Sequence, residues 1–440
     1  MPNGDHPDDS AAPQSGPSRP RGVLFGLFPP LDRREWRVFG IASTAGFFEN
    51  YDTALISLAL VQIQLGLGIG EAHLGAMLSI IRLGYLPALL IAPLADVFGR
   101  RRVLLHTIVG YTIFTGLTAL APGPRAFVAS QFMARTFAGA EGVIALVIVA
   151  EEVRAKMRGW MIGMLGALIA SGYGVAALAF GFIRIVPYGW RGMFALSLIP
   201  LAVIIPLRRL LPESRRFEAA MPEVAAHTGI LGPLAELFRF SPRRLAMVFS
   251  VTFLIALGNN PGSYLYAKYL QEVHHWAPRQ VSLMVVFGGA VGIIGNIVAG
   301  RLSDRFGRRL MGAAFTMLGP IFTIWMFTTA ASAAVVTAWV MRLFVDTASA
   351  TIVSAYHAEL FPTTHRAAAG SMMVVAGTTG GALGLTLEGI LYPMLHSHWS
   401  AICYLSGFWM IAPFVMLFFF PETAGRELEA ISPHGSLPTL

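Results

Sequence analysis

Eight ionisable side chains lie within long apolar stretches of the sequence, where a charge requires a physical explanation. Two of them, Glu49 and Asp52, occur together in the segment GFFENYDTALISLAL. The others are Arg82, Arg135, Glu141, Arg342, Asp346 and Glu388. A charge near the centre of a bilayer costs about 2.5 kcal/mol or more, so each of these groups is expected to face the protein interior.

The acids of this set are candidates for proton coupling. Glu49 and Asp52 are three residues apart and therefore share one face of a helix. Two carboxylates that close cannot cheaply be ionised together, so one is expected to hold a proton. Asp52 is the preferred coupling residue, with Glu49 as its neighbour and Glu141 as a second candidate. The alternative is a static ion pair of Asp52 with Arg82 or Arg135, and of Glu141 with a nearby arginine.

Two arginines of the set are candidates for binding an anionic or hydroxylated solute. Arg135 and Arg342 keep their charge in a poor solvent, and a guanidinium binds a carboxylate through two parallel hydrogen bonds. The structural alternative pairs Arg135 with Glu141, six residues on, and Arg342 with Asp346, four residues on. The spacing of the second pair fits a helical turn, so both interpretations stand.

The segment LGNNPGSYLYAKY places a proline among polar side chains within an apolar stretch. Pro261 removes a helical hydrogen bond, which predicts a break or hinge at mid-depth. Interrupted helices with polar side chains are typical binding elements of transporters, although a simple packing kink is the alternative. The predicted solute-binding residues are Arg82, Arg135, Asn259, Asn260, Tyr264, Arg342, Asp346 and Glu388.

The composition indicates the elements that must position these residues. Of 440 residues, 55% are hydrophobic and only 13% are charged, about half the charged fraction of a soluble protein. The apolar residues form blocks long enough to cross a bilayer as helices. We therefore predict an all-α membrane protein with twelve transmembrane helices in two pseudo-symmetric six-helix bundles. One cysteine, Cys403, excludes an internal disulfide and cysteine-based metal clusters.

Polar segments divide the chain. We predict a disordered cytoplasmic tail at 1–35, a six-helix bundle at 36–211, a cytoplasmic linker at 212–245, a second bundle at 246–421 and a tail at 422–440. Arginines concentrate in the short loops of one side, which predicts that both termini are cytoplasmic. The opposite loops are expected to hold only isolated bases, including Lys268, and a solvated HSH segment at 396–398.

An internal repeat relates the two halves. The segments APLADVFGRRRVLL and AGRLSDRFGRRLM align Asp96 with Asp304 and Gly99 with Gly307, each pair 208 residues apart. The same offset relates two further pairs, Glu151 to Glu359 and Arg158 to Arg366. The halves therefore share one orientation and relate by an axis along the membrane normal.

The repeated residues are candidates for a gate. Each aspartate is expected to pair with a base on a neighbouring helix, and each loop arginine with a glutamate, while the glycines permit a sharp turn. The alternative is that the arginines only hold the loops on the cytoplasmic side. The predicted gating residues are Asp96, Gly99, Arg100, Arg101, Glu151, Arg158, Asp304, Gly307, Arg308, Glu359 and Arg366.

The paired D-x-x-G-R-R loops, the E-x-x-x-x-x-x-R elements and the closures PES and PET resemble the major facilitator superfamily. The resemblance covers about residues 35–430. Within the superfamily the chain is similar to the sugar-porter and metabolite:proton symporter branches. The resemblance implies that the first, fourth, seventh and tenth spans surround a central cavity. The chain departs from the pattern at Val97 and Arg154, which suggests an altered gate in the first half.

Residues and resemblance together predict a secondary active transporter that moves a small organic solute by alternating access. The expected solute is a carboxylate or aromatic acid, or a sugar-like metabolite, taken up with a proton. The alternatives are proton-driven export and, in a different class, a membrane sensor. No nucleophile–base pair, metal cluster or nucleotide loop indicates an enzyme or a cofactor. The expected partners are the solute, the proton and the lipid bilayer of a bacterial inner membrane, without nucleic acid and with a monomeric protein.

Overall fold

The computed structural model describes residues 32–152, 155–199, 238–239, 241–362 and 365–424, and in these ranges every regular element is helical. The helices are α1 (Arg33–Leu58), α2 (Leu60–Leu67), α3 (Leu74–Leu83), α4 (Ala88–Ile91), α5 (Leu94–Phe98), α6 (Arg100–Ala119), α7 (Pro124–Glu152), α8 (Ala155–Gly181), α9 (Trp190–Ala195), α10 (Pro242–Glu272), α11 (Pro278–Phe306), α12 (Arg308–Thr328), α13 (Ser332–Leu360), α14 (Arg366–Leu395), α15 (His398–Trp409) and α16 (Ile411–Phe419). Short 3₁₀ turns cover Glu71–His73 and Leu196–Leu198.

Nine helical stretches of the described ranges are long and apolar enough to cross a membrane, from Glu71–Ile91 to His398–Phe419. The three further predicted spans correspond to α1, to α6 and to the segment that begins with α9. The rest of that predicted span, after residue 199, lies outside the described residues. Most of the predicted linker at 212–245 also lies outside them. The prediction of an all-helical membrane protein is confirmed, and a count of twelve spans is consistent with these helices.

The first helix begins earlier than the predicted tail boundary at residue 36. Asp32 accepts a hydrogen bond from the backbone N–H of Glu35, and the Glu35 carboxylate accepts one from the backbone N–H of Asp32. This capping box satisfies two donors at the start of α1 and fixes the helix start at Arg33.

Within each half, a glycine allows two helices to approach closely, and the two contacts occupy equivalent positions. A Cβ added at Gly172 of α8 would collide with the carbonyl oxygen of Phe47 in α1. A Cβ added at Gly380 of α14, 208 positions later, would collide with the carbonyl oxygen of Phe253 in α10. The α1–α8 and α10–α14 contacts are thus equivalent, which agrees with the repeat in the sequence.

The helix pairs with the most extensive contacts between the two halves are α3 with α14, α8 with α11, and α1 with α10, and α2 also contacts α10. We call the end of the molecule that carries the turns at Gly99 and Gly307 the arginine-rich side, and the other end the opposite side.

Candidate functional site

Asp52 and Arg135 form a buried ion pair between α1 and α7. Arg135 Nη2 lies 3.0 Å from Asp52 Oδ2, and both side chains are at most 1% exposed. The guanidinium also donates to Gln131 Oε1 at 3.1 Å and to the hydroxyl of Thr53. Of the two arginines considered as partners for Asp52, the structure selects Arg135. Asp52 Oδ1 remains buried without a hydrogen bond partner.

Glu141 occupies a different environment from Asp52. It is 1% exposed, and neither of its carboxylate oxygens has a hydrogen bond partner. The described ion pairs do not include the permanent pair with an arginine that was the alternative to proton coupling. Glu49 approaches the same place, because its Oε2 lies 3.6 Å from where a Cβ on Gly142 would be. An ionised Glu141 would therefore be a buried charge without a counter-ion among the described residues.

Arg342 of α13 is held largely by neutral groups of α10. It donates to the side chains of Asn259 and Ser263, and its Nε lies 3.6 Å from Asp346 Oδ2. The other oxygen of Asp346 is buried without a hydrogen bond partner. The Arg342–Asp346 pair that the spacing allowed is thus present.

Arg82 differs from the other two predicted binding arginines because the described ion pairs include no acidic partner for it. It extends from α3 to the other half, where Nη2 donates to the carbonyl oxygen of Gly377 at 3.1 Å. Its Nε is buried without a hydrogen bond partner. Both Arg82 and Asn260 contact the place where a Cβ on Gly381 would be. Among the described residues, no carboxylate pairs with Arg82.

A cavity of about 290 Å³ lies beside these groups, between α10 and α13. Its lining includes Thr252, Asn259, Asn260, Asp346, Ser349 and Trp409. The cavity is therefore lined by both predicted binding asparagines and by Asp346, the acid that pairs with Arg342.

Pro261 does not interrupt the helix, because α10 continues from Pro242 to Glu272, and the hinge at this residue stays a prediction. Pro261 is buried, and the helix around it is held on two sides. A Cβ on Gly258 would lie 3.0 Å from the carbonyl oxygen of Leu405, and one on Gly384 would collide with that of Leu257. Close packing maintains the helix despite the missing N–H group.

A network of charged groups joins the two halves on the opposite side. Lys268 of α10 donates to Gln64 at 2.8 Å and to Glu71 at 3.0 Å, both in the first half, and it contacts Glu272 of its own helix. Lys268 is fully buried, so its prediction as a loop residue was wrong. Lys268 and Glu272 are one helical turn apart, a spacing that could have indicated the pair.

The same network includes His398 at the start of α15. Its Nε2 lies 2.9 Å from Glu71 Oε2, and its Nδ1 contacts Glu388 Oε1 of α14. His398 is only 4% exposed, so the prediction of a solvated HSH segment was wrong at this residue. We call the group of Gln64, Glu71, Lys268, Glu272, Glu388 and His398 the seal. The structure places Glu388 in the seal and not beside the cavity.

Further contacts close the molecule near the seal. Gln62 donates to Gln271 at 2.7 Å, and the hydroxyls of Tyr173 and Tyr266 lie 3.0 Å apart. Ser79 donates to the carbonyl oxygen of Ala382 at 2.9 Å. Each bond joins the first half to the second, so the two halves are held together towards the opposite side.

A glycine at this interface leads to the first prediction. A Cβ on Gly75 would collide with the carbonyl oxygen of Leu385 and lie 2.7 Å from the backbone nitrogen of Gly389. We expect Gly75→Val to destabilise the closed interface by about 1–3 kcal/mol. The ratio of the closed to the open state on this side should then fall roughly 5- to 150-fold, measured as labelling of a cysteine placed at Gln62. Gly407→Val is the control, since a Cβ added at Gly407 would have no neighbouring atom within 4 Å. Equal labelling in the two variants would contradict the prediction.

The predicted gating residues lie on the arginine-rich side. Gly99 and Gly307 adopt nearly identical backbone conformations, with φ of 95° and 93°, which favour glycine. Arg308 contacts Glu359 and lies 3.4 Å from Asp304, both within the second half. The described ion pairs do not include one between Asp304 and Arg366. Arg100 and Arg101 begin α6, whereas the side chains of Asp96, Glu151 and Arg158 are outside the described residues.

Glu422 of the PET closure caps α12 on the same side. Its carboxylate accepts backbone hydrogen bonds from Arg308 at 2.8 Å and Arg309 at 3.1 Å, and from Thr423 and Ala424. Burial alone would raise the pKa of Glu422, but these N–H groups hold it below its usual value. The closure residues thus anchor the segment that follows α16 to the repeated loop.

Long apolar helices around buried ion pairs and a small polar cavity define a membrane transporter of small solutes. The Major Facilitator Superfamily model matches residues 42–341 and 248–438, and the chain belongs to this family. Members of this family are transporters and not enzymes.

Two curated relatives and one solved structure illustrate the similarity. The chain is 23% identical over 369 residues to a Bacillus subtilis protein provisionally named niacin/nicotinamide transporter NiaP, covering 83% of this chain and 90% of that one. It is 22% identical over 325 residues to the benzoate transport protein of Acinetobacter baylyi, covering 65% and 68%. The inward-open structure of the xylose transporter XylE from E. coli, described as a proton:xylose symporter, matches with a TM-score of 0.72 at 18% identity, covering 90% and 99%. The chain is a secondary transporter of small organic solutes.

Proposed function

We propose that the protein takes up a small organic carboxylate, most simply an aromatic acid, together with a proton. The observation that carries this proposal is the state of three arginines, of which Arg135 and Arg342 are buried and Arg82 is partly buried. Arg135 pairs with Asp52 and Arg342 with Asp346, whereas Arg82 has no acidic partner among the described residues. A guanidinium without a counter-ion beside a polar cavity favours an anionic ligand.

The cavity and the relatives support the same class of solute. A volume of about 290 Å³ is at the small end of ligand sites and suits a solute with one ring. Asn260 lies both in the cavity lining and beside Arg82, so a carboxylate at Arg82 would place the rest of the solute against α10. The names of two relatives refer to niacin and benzoate, which are aromatic carboxylates.

The proton would be carried by the acids of the first half. Glu141 has no counter-ion among the described residues, so the neutral acid is the form that its surroundings favour. Asp52 is neutralised by Arg135, and a proton on Asp52 would release that arginine. Glu49, beside both, would couple the two sites. The proton-coupling set remains Glu49, Asp52 and Glu141.

The side that is closed indicates which way this conformation faces. We place the arginine-rich side in the cytoplasm, with both termini, in a bacterial inner membrane. The seal then faces outward, and the conformation described here is inward-facing. The pairs of Arg308, and the loop residues predicted with them, would have to rearrange when the cytoplasmic side closes. A monomer contains every group that this cycle requires.

Uptake into proteoliposomes tests the proposal. We expect protein-dependent initial uptake of radiolabelled niacin or benzoate to rise when the lumen is made alkaline, and to fall when a protonophore removes the gradient. Protein-free liposomes correct for passive entry of the neutral acids, and xylose and inositol test the sugar alternative. Uptake of sugars but not acids would contradict the solute class, and acid uptake that ignores the gradient would contradict proton coupling.

A further inference from the structure

We propose that the seal is a second proton-binding site, in which one additional proton holds the two halves together on the outer side. The site is separate from Glu49, Asp52 and Glu141, and its ligand is a proton taken from the outside medium. It would make closure of the outer side depend on external pH even when no solute is present.

The number of hydrogen bonds at His398 requires the additional proton. Its Nδ1 contacts a carboxylate oxygen of Glu388, and its Nε2 contacts one of Glu71. A neutral imidazole carries one N–H group and can donate only once. Both contacts are hydrogen bonds only if the ring is an imidazolium or if one of the two carboxyl groups is protonated. In either case the trio holds one proton more than a neutral histidine with two carboxylates.

Among the described residues, the carboxylate oxygens of Glu388 and Glu71 that His398 contacts have no other hydrogen bond donor. Tyr392 of α14 stacks on the imidazole, with ring centroids 4.1 Å apart, and the ring of Trp399 lies tilted beside it, with centroids 5.8 Å apart. The nearest base is Lys268, which is already shared between Glu71 and Glu272. His73 and His396, on the neighbouring turns, are exposed.

The seal contains three carboxylates and a single lysine. Among the described residues, the only polar partner of Glu388 is His398. Glu272, which contacts Lys268, is 39% exposed. Glu388 and Lys268 are fully buried, and Glu71 is 37% exposed. Without the additional proton, the seal would hold an excess of two negative charges and leave Glu388, which is fully buried, as a carboxylate without a cationic partner, which is costly. With it, the excess is one, and Glu71 has a donor on either side.

Opening of the outer side must separate Glu71 from Lys268 and His398, because Glu71 belongs to the first half and the other two to the second. Once Glu71 has moved away, His398 needs only its single N–H group to bond Glu388. The closed state thus binds one more proton than the open state. Acid therefore favours closure. As pH rises, the closed-to-open ratio should fall by up to about tenfold per pH unit between the titration midpoint of the open state and that of the closed state.

Spin-label distances across the outer mouth test this proposal. Nitroxides would be attached to cysteines at Leu120 and Met394, which are 76% and 73% exposed at the outer ends of α6 and α14, with Cys403→Ser removing the native thiol. The protein would be measured in nanodiscs between about pH 5 and pH 8, where histidine titrates, without solute or gradient. We expect the short-distance population to decrease as pH rises, and His398→Gln to remove most of this dependence.

Three further variants separate the possible explanations. His396→Asn, which suits the left-handed backbone of that residue, should retain the pH dependence of wild type. Glu71→Gln should weaken it, and because Glu71 is 37% exposed, we expect this substitution to leave the fold intact. Glu141→Gln should retain it, so failure of the coupling proposal would not affect this result. A wild-type distribution that does not change with pH, or a His398→Gln variant that titrates as wild type does, would overturn the proposal.

Discussion

Glu141→Gln is expected to lose solute accumulation driven by a pH gradient while retaining solute exchange. Glutamine preserves the size and polarity of the side chain but cannot release a proton. For one proton per solute, a gradient of one pH unit supports about tenfold accumulation, and in the variant this ratio should fall to about one. The measurement compares protein-dependent uptake into proteoliposomes under an imposed gradient with exchange of internal for external solute at equal pH.

Asp52→Asn provides the comparison within the same helix pair. It removes the negative charge opposite Arg135 and leaves that guanidinium buried without its partner, so we expect a loss of both accumulation and exchange. Gln131→Asn changes a neutral neighbour of Arg135 and is the control. If Glu141→Gln accumulates solute as wild type does, Glu141 does not carry the proton. If Asp52→Asn does so, Asp52 has no coupling role.

Arg82→Gln is expected to raise the KM for an aromatic carboxylate roughly 10- to 100-fold. Hydrogen bonds to charged groups contribute about 1.5–3 kcal/mol, and every 1.4 kcal/mol is tenfold in affinity. Arg82→Lys should lie between the variant and wild type, because lysine keeps the charge but not the paired N–H groups. The measurement is the concentration dependence of exchange, which does not require a gradient.

Neutral analogues show whether Arg82 reads the carboxylate. Wild type should prefer niacin to nicotinamide as a competitor of exchange, and Arg82→Gln should lose this preference. Arg125→Gln, an exposed arginine at the start of α7, is the matched control and should change neither value. An unchanged KM and an unchanged preference in Arg82→Gln would place the solute elsewhere in the protein.

Local patterns in the sequence were sufficient to predict the helices, the repeat and the family. The turns at Gly99 and Gly307 follow from a motif that occurs twice, and the structure gives them the same backbone conformation. The pairing of Arg342 with Asp346 follows from a spacing of four residues. In each case the relevant contact is between near neighbours in the chain or is imposed by the repeat.

The seal could not be predicted because its members are far apart in the chain. Glu71 and His398 are separated by 327 residues, and Glu71 and Lys268 by 197. Lys268 lies in a polar stretch of α10 that resembles the end of a span, and His398 lies next to an exposed turn. The pairing of Asp52 with Arg135 rather than Arg82 was equally beyond the sequence, since both arginines lie in apolar stretches. The continuous helix at Pro261 depends on packing against neighbouring helices, which the chain pattern does not report.

Proton movement coupled to solute entry tests the central claim most directly. Proteoliposomes loaded with a pH-sensitive dye would receive niacin or benzoate outside, at equal pH on the two sides, with protein-free liposomes and Glu141→Gln proteoliposomes measured in parallel. The account predicts that wild-type protein accelerates acidification of the lumen beyond the passive rate, and that Glu141→Gln does not. Solute entry through the wild-type protein without any acceleration of acidification would contradict proton-coupled uptake.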